Sequence, residues 1–303
     1  MIKPRAFNTI TVQDGSIIKT STDSKALYNE CNWYSSIPSS LHTFIPHILD
    51  CNGTSIRMDY VNGKTLHESF VSGEYGIGKW DEILAQIQSF SEAMREYQIQ
   101  GDFYKSLKEM YYNKTKNRLE LLREHPCFSR FFKESPIING IEYPSIPELL
   151  DNLESEVRVL YQCDTFNIIH GDLHFGNIIL NDRDEIKAID PRGNFGEYTI
   201  YGDGRYDLAK LYHSIEGGYD YIIDDMYHLE AEDNCIDYTI EPSEYGFDLL
   251  SRVRNVMAIK EEKEIRLIES LLFLSMVPLH FEDASHQTVM FARGLELYKR
   301  VVG

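Results

Sequence analysis

The chain has 303 residues, of which 43% are hydrophobic and 26% are charged, and its formal net charge is -18. This length and composition describe a globular protein with a sizeable core and exclude a disordered chain. The acidic balance argues against a nucleic-acid partner, because a protein that neutralises phosphates needs a basic face.

No segment is typical of a signal peptide or a membrane span. The first residues have no apolar core, and the most apolar run, 267–279, is short and interrupted by Glu269. The five cysteines are scattered without a C-x-x-C pair, so the sequence indicates neither a metal cluster nor a disulfide framework. We therefore expect a cytoplasmic protein without membrane insertion.

Strands dominate the first part of the chain. Alternating residues predict a β-hairpin around Asp14-Gly15, followed by one helix and two further short strands. The predicted elements are strands at 7–12 and 16–20, a helix at 24–35, and strands at 45–49 and 55–58. We expect this part, residues 1–61, to form a small β-rich N-terminal lobe.

The remainder, residues 62–303, is expected to form a helical lobe that contains a small sheet. Apolar residues at helical spacing and flanking caps define seven helices, at 79–98, 102–124, 148–162, 207–215, 244–257, 263–276 and 285–301. Short apolar strands are predicted at 166–169, 177–180 and 185–189. The fold class predicted from this order is α+β, with two lobes.

The segment after the first of these strands carries residues suited to phosphoryl transfer. That reaction needs a group that orients and deprotonates the attacking hydroxyl, and hard oxygen ligands for Mg²⁺. Asp172 supplies a carboxylate, Asn177 follows five residues later, and Asp190 ends the next hairpin. The spacing is that of the base and the two metal ligands in a kinase catalytic loop. A purely structural turn is the alternative for any one of these residues alone.

The sequence HGDLHFGNII resembles the motif of the aminoglycoside phosphotransferase and choline kinase superfamily. The resemblance implies a bilobal protein-kinase-like fold, Asp172 as catalytic base, and Asn177 and Asp190 as ligands of Mg²⁺. It also implies that His170 supports the catalytic loop. His174 is a less constant member of the motif and a candidate for contact with substrate or phosphate.

Two upstream features fit a nucleotide site. Lys19 lies on a predicted strand and Glu30 on the helix that follows, the order of a kinase's phosphate-binding lysine and its helical partner. The segment IRMDYVNGKTL resembles the family's hinge. That resemblance implies that the backbone of Asp59 and Val61 binds adenine and that Met58 lines the pocket. Because backbone groups would recognise the base, ATP and GTP are both possible nucleotides. The alternative for Lys19 and Glu30 is that they are ordinary surface residues.

The stretch before Lys19 departs from the family pattern. Only eighteen residues precede this lysine, and they contain no G-x-G-x-x-G loop. Residues 2–8 must therefore form any cover over the phosphates, with Arg5 near phosphate. A minimal lid and fusion or association with another biosynthetic domain are the alternatives.

Residues after Asp190 are candidates for substrate recognition. Arg192 and Arg205 flank the predicted metal site, where they either bind an anionic group or pair with surface carboxylates. Asp207 begins a predicted helix, and the family resemblance gives it a supporting role for the catalytic loop. Asp224, Asp225, Glu230 and His280 are possible lining residues of an acceptor pocket, with an exposed helix face as the other interpretation.

The run IDPRGNFGEYTIYGDGRYDLAKLYHSIEGGYD resembles kinases of bacterial capsular or surface polysaccharide biosynthesis. This resemblance implies a small hydroxyl acceptor, a sugar, polyol or amino-alcohol precursor. Choline, ethanolamine and aminoglycosides are alternative acceptors, and a nucleotide-binding pseudokinase is the non-catalytic alternative. A protein kinase is disfavoured, because the sequence has no Ala-Pro-Glu segment after Asp190.

Overall fold

The computed structural model describes residues 8–241 and 246–303. The chain divides into two compact units. The first comprises Met1–Gly101, Thr165–Asp207 and Ser251–Ala258, and the second comprises Asp102–Asp164, Leu208–Leu250 and Ile259–Gly303. The lobe boundary after residue 61 stays a prediction.

The described strands are short and belong to four sheets. In chain order they are β1 Asn8–Gln13, β2 Ser16–Ser21, β3 Ile48–Cys51, β4 Ser55–Asp59, β5 Gly63–Thr65, β6 Gln98–Gln100, β7 Ile137–Ile138, β8 Ile141–Glu142, β9 Thr165–Ile168, β10 Ile178–Asn181, β11 Ile186–Ala188, β12 Tyr201–Gly202, β13 Tyr227–Glu232 and β14 Cys235–Ile240.

The described α-helices range from 5 to 19 residues in length, and α3 and α11 have 19 residues each. They are α1 Ser24–Ser36, α2 Leu66–Val71, α3 Ile77–Arg95, α4 Tyr104–Lys108, α5 Lys114–Glu120, α6 Ile146–Glu156, α7 Arg205–Ile215, α8 Tyr219–Ile223, α9 Gly246–Val256, α10 Glu262–Met276 and α11 Ala284–Val302.

The first unit opens with an antiparallel sheet in the strand order β1-β2-β4-β3. Asp14 and Gly15 have positive φ angles of 48° and 71°, which suits the tight turn between β1 and β2. Lys19 lies opposite Ile56 of β4, so both side chains are on one face of the sheet. Asp23 caps α1 by accepting a hydrogen bond from the backbone N–H of Ala26 at 3.0 Å.

The same unit contains two three-stranded sheets, β11-β10-β5 and β12-β9-β6. Helix α3 buries the apolar stripe that the sequence predicts, including Ile83, Ile87, Phe90 and Met94. Helix α2, which the sequence analysis did not predict, begins at a capping box formed by Thr65 and Glu68.

The second unit is mainly helical. Helices α10 and α11 pack closely at Gly294, where an added Cβ would lie 2.9 Å from side-chain atoms of Leu274. Its sheet has the strand order β13-β14-β7-β8, and β14 runs parallel to β7.

Several predicted elements differ from the structure. The strand predicted at 45–49 begins only at Ile48 and ends at Cys51, and a 3₁₀ turn that was not predicted precedes it at Ser39–Phe44. The helix predicted at 102–124 contains a π turn at Glu109–Asn113 and ends at Glu120. The β13–β14 hairpin was not predicted, although Ile236 and Tyr238 of β14 are buried and alternate with the exposed Asp237 and Thr239. Glu230 consequently lies on a strand and not on a helix face.

Cys31 and Cys51 form a disulfide, contrary to the expectation from cysteine spacing. The two residues are 20 positions apart, and they meet because α1 and β3 are neighbours in space. A pairing of this kind depends on tertiary structure, so spacing alone does not reveal it.

Two further expectations concern the phosphate cover and membrane-spanning helices. The predicted phosphate cover at 2–8, with Arg5, lies outside the described residues apart from Asn8, which begins β1. Within the part of the chain that the structure describes, no helix combines the length and apolarity needed to cross a bilayer.

Candidate active site

The loop between β9 and β10 carries the predicted catalytic motif. Phe175–Asn177 forms a short 3₁₀ turn, and Asn177 directly precedes β10. The backbone N–H of Ile189 donates to the carbonyl of Asn177 at 2.9 Å. Because Ile189 precedes Asp190, this bond brings the two predicted metal ligands side by side at one end of the β10–β11 hairpin.

Asp207 holds the start of this loop. One carboxylate oxygen accepts the backbone N–H of His170 at 2.8 Å, and the other accepts that of Gly171 at 2.7 Å. Asp207 is buried and lies in the first turn of α7. Hydrogen bonds to an ionised acceptor are stronger than neutral ones, so the carboxylate fixes the loop backbone. This position fits the supporting role that the resemblance implies.

His170 is fully buried, which keeps its ring away from solvent and from any bound substrate. Its Nδ1 accepts the backbone N–H of Asp172 at 3.3 Å, and its ring packs edge-on against Trp33. Burial lowers the pKa of His170 to about 4, so the ring is neutral at pH 7. These contacts describe a residue that shapes the loop.

Gly171 and its neighbours require an unusual backbone. Gly171 has a φ of +79°, and an added Cβ would lie 2.8 Å from the Cβ of Arg192. The backbone N–H of Arg192 donates to the carbonyl of His170 at 2.9 Å, which explains this close approach. A residue with a side chain would be strained here both by φ and by contact.

Asp172 and Asn177 are joined by direct hydrogen bonds. Asn177 Nδ2 donates to the backbone oxygen of Asp172 at 2.9 Å and to its Oδ2 at 3.3 Å. His174 Nε2 lies 3.8 Å from the same carboxylate oxygen, while His174 Nδ1 accepts the N–H of Gly176 at 3.1 Å. The Asp172 side chain is 24% exposed, so a hydroxyl can reach it.

Lys19 links the first sheet to Asp190. Its Nζ donates to Glu30 Oε2 at 2.7 Å and to Asp190 Oδ1 at 2.8 Å. The lysine and the glutamate are both buried, whereas Asp190 is partly exposed. The predicted lysine, its helical glutamate and the aspartate predicted to bind metal therefore form one hydrogen-bonded group. We call Lys19, Glu30, Asp172, Asn177 and Asp190 the candidate cluster.

The electrostatics of this group follow from burial and charge. Burial disfavours the ammonium of Lys19, but the carboxylates of Asp190 and Glu30 outweigh it and raise the pKa of the lysine. Burial and the nearby Asp190 raise the pKa of Glu30 to about 7 despite the lysine. Glu30 Oε1 is buried without a hydrogen-bond partner among the described residues, which favours the neutral acid.

The backbone around Asp190 is strained in a way that suits a functional site. Asp190 has a φ of +57°, a region that costs a non-glycine residue about 1–2 kcal/mol. Gly193, at +66°, lies against α1, and an added Cβ would lie 2.0 Å from the carbonyl oxygen of Asn29. This glycine allows α1 to approach, which places Glu30 within reach of Lys19.

The residues present fit a magnesium ion. Among the described residues, Asn177 Oδ1 and Asp190 Oδ2 have no hydrogen-bond donor, and both are hard oxygen atoms of the kind that Mg²⁺ prefers. Their neighbouring positions follow from the bond between Ile189 and Asn177.

The predicted hinge lies where β4 ends. Met58 is buried on the face of the sheet that it shares with Ile17. The backbone N–H of Asp59 donates to the backbone carbonyl of His47 at 2.9 Å. The backbone N–H of Val61 takes part in no hydrogen bond among the described residues. The hinge therefore has a free backbone donor at the position that the resemblance assigns to adenine.

A cavity of about 870 Å³ adjoins the hinge. Asp59, Val61 and Arg183 are among its lining residues, but no member of the candidate cluster lines it. This cavity and the candidate cluster are therefore separate features of the first unit.

The two predicted arginines have different environments. Arg205 makes a bidentate pair with the buried Asp203, in which Nε donates to Oδ1 at 3.0 Å and Nη2 donates to Oδ2 at 2.7 Å. Arg192 donates through Nε to the carbonyl of Asn194 at 3.2 Å. Arg205 thus pairs with a carboxylate, although that carboxylate is buried and not on the surface as expected. Arg192 stays a candidate for anion binding.

Sequence reasoning missed two residues that position the site. Trp33 donates from Nε1 to the carbonyl of Ile169 at 2.8 Å and is fully buried. Gly193 admits the backbone of α1. A tryptophan three positions after Glu30 was a visible signal, but its partner lies 136 residues further along the chain. Such a contact is not encoded in local spacing.

Comparison with known protein families gives one match over part of the chain. Residues 91–221 match the family model described as lipopolysaccharide core biosynthesis protein (WaaY). The matched segment is less than half of the chain and includes the loop from His170 to Asn177. A search of curated proteins finds no match.

Comparison with solved structures shows the fold. A choline/ethanolamine kinase family protein from Mesorhizobium loti has a TM-score of 0.61 at 9% identity, over 98% of this chain and 89% of that chain. The GDP and kanamycin complex of APH(2")-IIia has a TM-score of 0.57 at 14% identity, over 99% and 91%. The streptomycin and ATP complex of APH(2")-IIa gives 0.55 at 12%, over 98% and 90%. The likeness confirms the predicted α+β, protein-kinase-like fold, with a β-rich N-terminal region and a helical C-terminal part.

Proposed function

We propose that this protein is a Mg-ATP-dependent phosphotransferase that acts on a hydroxyl group of a small molecule. The acceptor we favour is a sugar, or a related polyol or amino alcohol, that is a precursor of a bacterial surface polysaccharide. The observation that carries the proposal is the candidate cluster. It combines a reachable carboxylate, two neighbouring hard oxygen ligands and a buried lysine.

Asp172 is the proposed catalytic base. The acceptor hydroxyl donates its proton to the Asp172 carboxylate as its oxygen attacks the γ-phosphorus, and the bond from that phosphorus to the β-phosphate oxygen breaks. Asn177 orients the carboxylate through its Nδ2, which lies 3.3 Å from Asp172 Oδ2.

Lys19, Asn177 and Asp190 are the proposed contacts of the nucleotide phosphates and their metal. When bound, Mg²⁺ would neutralise charge on the β- and γ-phosphates, and Asn177 Oδ1 and Asp190 Oδ2 would hold it. Lys19 would hold the α- and β-phosphates, and Glu30 keeps the ammonium in place at 2.7 Å. ATP and GTP both fit a hinge that offers backbone groups.

The acceptor class rests on a different observation. The partial match to a lipopolysaccharide core biosynthesis family supports a saccharide over choline, ethanolamine or an aminoglycoside. The capsular branch stays a prediction.

The test is ADP release by the purified protein with Mg-ATP and, separately, GDP release with Mg-GTP. The acceptor panel contains core oligosaccharides, sugars, polyols, amino alcohols, choline and aminoglycosides. Asp172→Asn is expected to lower acceptor-stimulated turnover by about 100-fold or more while nucleotide affinity changes little. Asp151→Asn, on the exposed face of α6, is the matched control and should behave as wild type.

Four outcomes decide the proposal. Stimulation by one acceptor, lost in Asp172→Asn, supports it and names the acceptor. Equal turnover in both proteins contradicts Asp172 as base. Tight nucleotide binding without turnover on any acceptor favours the non-catalytic alternative, and absence of nucleotide binding contradicts the assignments of Lys19 and the hinge.

A further inference from the structure

A second cavity lies in the helical second unit. Its volume is about 420 Å³, within the range of about 300–1,000 Å³ that is usual for small-molecule sites. Gly217, Tyr238, Glu241, Arg293 and Arg300 are among its lining residues, and no member of the candidate cluster is. We call this feature the Gly217 cavity.

Arg293 forms a rigid part of the lining. Its Nε donates to the carbonyl of Gly217 at 3.2 Å and its Nη2 to the carbonyl of Glu216 at 2.6 Å. Its Nη1 donates to Glu296 Oε2 at 3.3 Å. Only 14% of the side chain is exposed, so the guanidinium is fixed before any ligand arrives.

Glu296 is fixed from the other side. Its Oε2 accepts the hydroxyl of Tyr238 at 2.7 Å, and its Oε1 accepts Asn139 Nδ2 at 3.3 Å. Tyr238 and Asn139 both line the cavity. The wall therefore includes planar polar groups, namely an amide, a carboxylate and a guanidinium, and the side chain of Tyr238.

Two glycines that follow α7 line the cavity. An added Cβ at Gly217 would lie 2.4 Å from the ring of Phe273 and 2.7 Å from the carbonyl of His213. Gly218 has a φ of +74°, which a side chain rarely adopts. The backbone of these two residues consequently forms the wall itself.

The charges around the cavity are balanced. Glu296 pairs with Arg293, and Glu216 pairs with Arg266 at 3.0 Å. Among the described residues, Glu241 and Arg300 form no ion pair, so one negative and one positive group remain. A balanced wall does not favour a phosphate or a polycation.

A neutral polyhydroxylated ligand satisfies such a wall. Each hydroxyl group donates one hydrogen bond and accepts others, so it needs donors and acceptors side by side. Fixed carboxylate and guanidinium groups supply both, and a tyrosine ring supplies an apolar surface for the C–H face of a sugar.

We propose that the Gly217 cavity binds a neutral saccharide ring and serves as a docking subsite for an oligosaccharide acceptor. The docking role rests on the proposed function, whereas binding itself does not. A subsite of this kind adds affinity for a long acceptor without taking part in the phosphoryl transfer.

The experiment measures binding of a delipidated, dephosphorylated lipopolysaccharide core oligosaccharide by titration calorimetry, without nucleotide. Thr239→Trp places a large ring in the cavity from an exposed strand position, and Arg300→Ala removes an exposed donor. The matched controls are Asp237→Trp on the same strand and Arg158→Ala on the surface of the same unit, both exposed and outside the lining. Thermal unfolding of each variant verifies its fold.

We expect at least tenfold weaker binding in Thr239→Trp and Arg300→Ala, with both controls equal to wild type. If turnover is found, KM for the oligosaccharide should rise about tenfold in these variants while kcat is unchanged. Absence of binding to wild type, or equal binding in all variants, would overturn the proposal. Binding of only the phosphorylated oligosaccharide would overturn the neutral ligand class. Binding without turnover would leave the saccharide site standing and contradict the kinase.

Discussion

Replacing Asp207 by asparagine should destabilise the catalytic loop. The two carboxylate oxygens accept the N–H groups of His170 and Gly171 at 2.8 and 2.7 Å in a buried setting. Asparagine has one acceptor oxygen, so its NH₂ group would face one of the two backbone donors. A charge-assisted bond is lost, and a buried N–H loses its partner.

The expected cost follows from these two effects. A hydrogen bond to a charged group contributes about 1.5–3 kcal/mol, and an unsatisfied buried donor costs about 1–3 kcal/mol. Because the two values partly describe the same loss, we expect Asp207→Asn to lower the free energy of unfolding by about 2–4 kcal/mol. Acceptor-stimulated turnover should fall as well, since the displaced backbone carries Asp172.

Urea unfolding followed by tryptophan fluorescence measures this change, with the slope m compared between proteins. Asp23→Asn is the matched control, because Asp23 caps α1 at an exposed position and asparagine is an equally good N-cap. A loss in Asp207→Asn no larger than in Asp23→Asn would refute the view that this carboxylate holds the loop.

Three further predictions concern the close packing at Gly193 and the buried carboxyl groups of Glu30 and Glu269. Gly193→Ala should lower the melting temperature of the protein more than Gly73→Ala does, because both glycines have a positive φ but only Gly193 lies against Asn29. An equal fall in melting temperature would contradict this. Glu30 has a pKa raised to about 7, so its contribution to stability is present below its unfolded value and lost as pH rises through 7. Unfolding at pH 5 and pH 8 should show a decline of up to about 3 kcal/mol that Glu30→Gln lacks, and parallel profiles would argue against it. Glu269 is fully buried without a hydrogen-bond partner among the described residues, and burial raises its pKa. Because methionine removes this buried carboxyl group, Glu269→Met should raise the urea midpoint of unfolding at pH 8. A lower midpoint would reveal a stabilising role for the carboxylate.

The sequence by itself determined the chemical motif and much of the secondary structure. The spacing of Asp172, Asn177 and Asp190 is read along one loop and one hairpin, and the structure places these residues on that loop and hairpin. Long helices such as α3, α10 and α11 were predicted near their observed bounds, because a repeated apolar stripe is a local signal. The protein-kinase-like fold followed from the motif's resemblance.

The tertiary structure decided which distant groups meet. Lys19 and Asp190 are 171 residues apart and form an ion pair of 2.8 Å, and the sequence offered a plausible lysine but no proof of contact. The approach of α1 to Gly193 depends on how the chain folds back. The charged β13–β14 hairpin and the Gly217 cavity depend equally on packing in the second unit. Local patterns fix what a segment prefers, whereas contacts between remote segments depend on the free energy of the whole fold, which no single stretch of sequence contains.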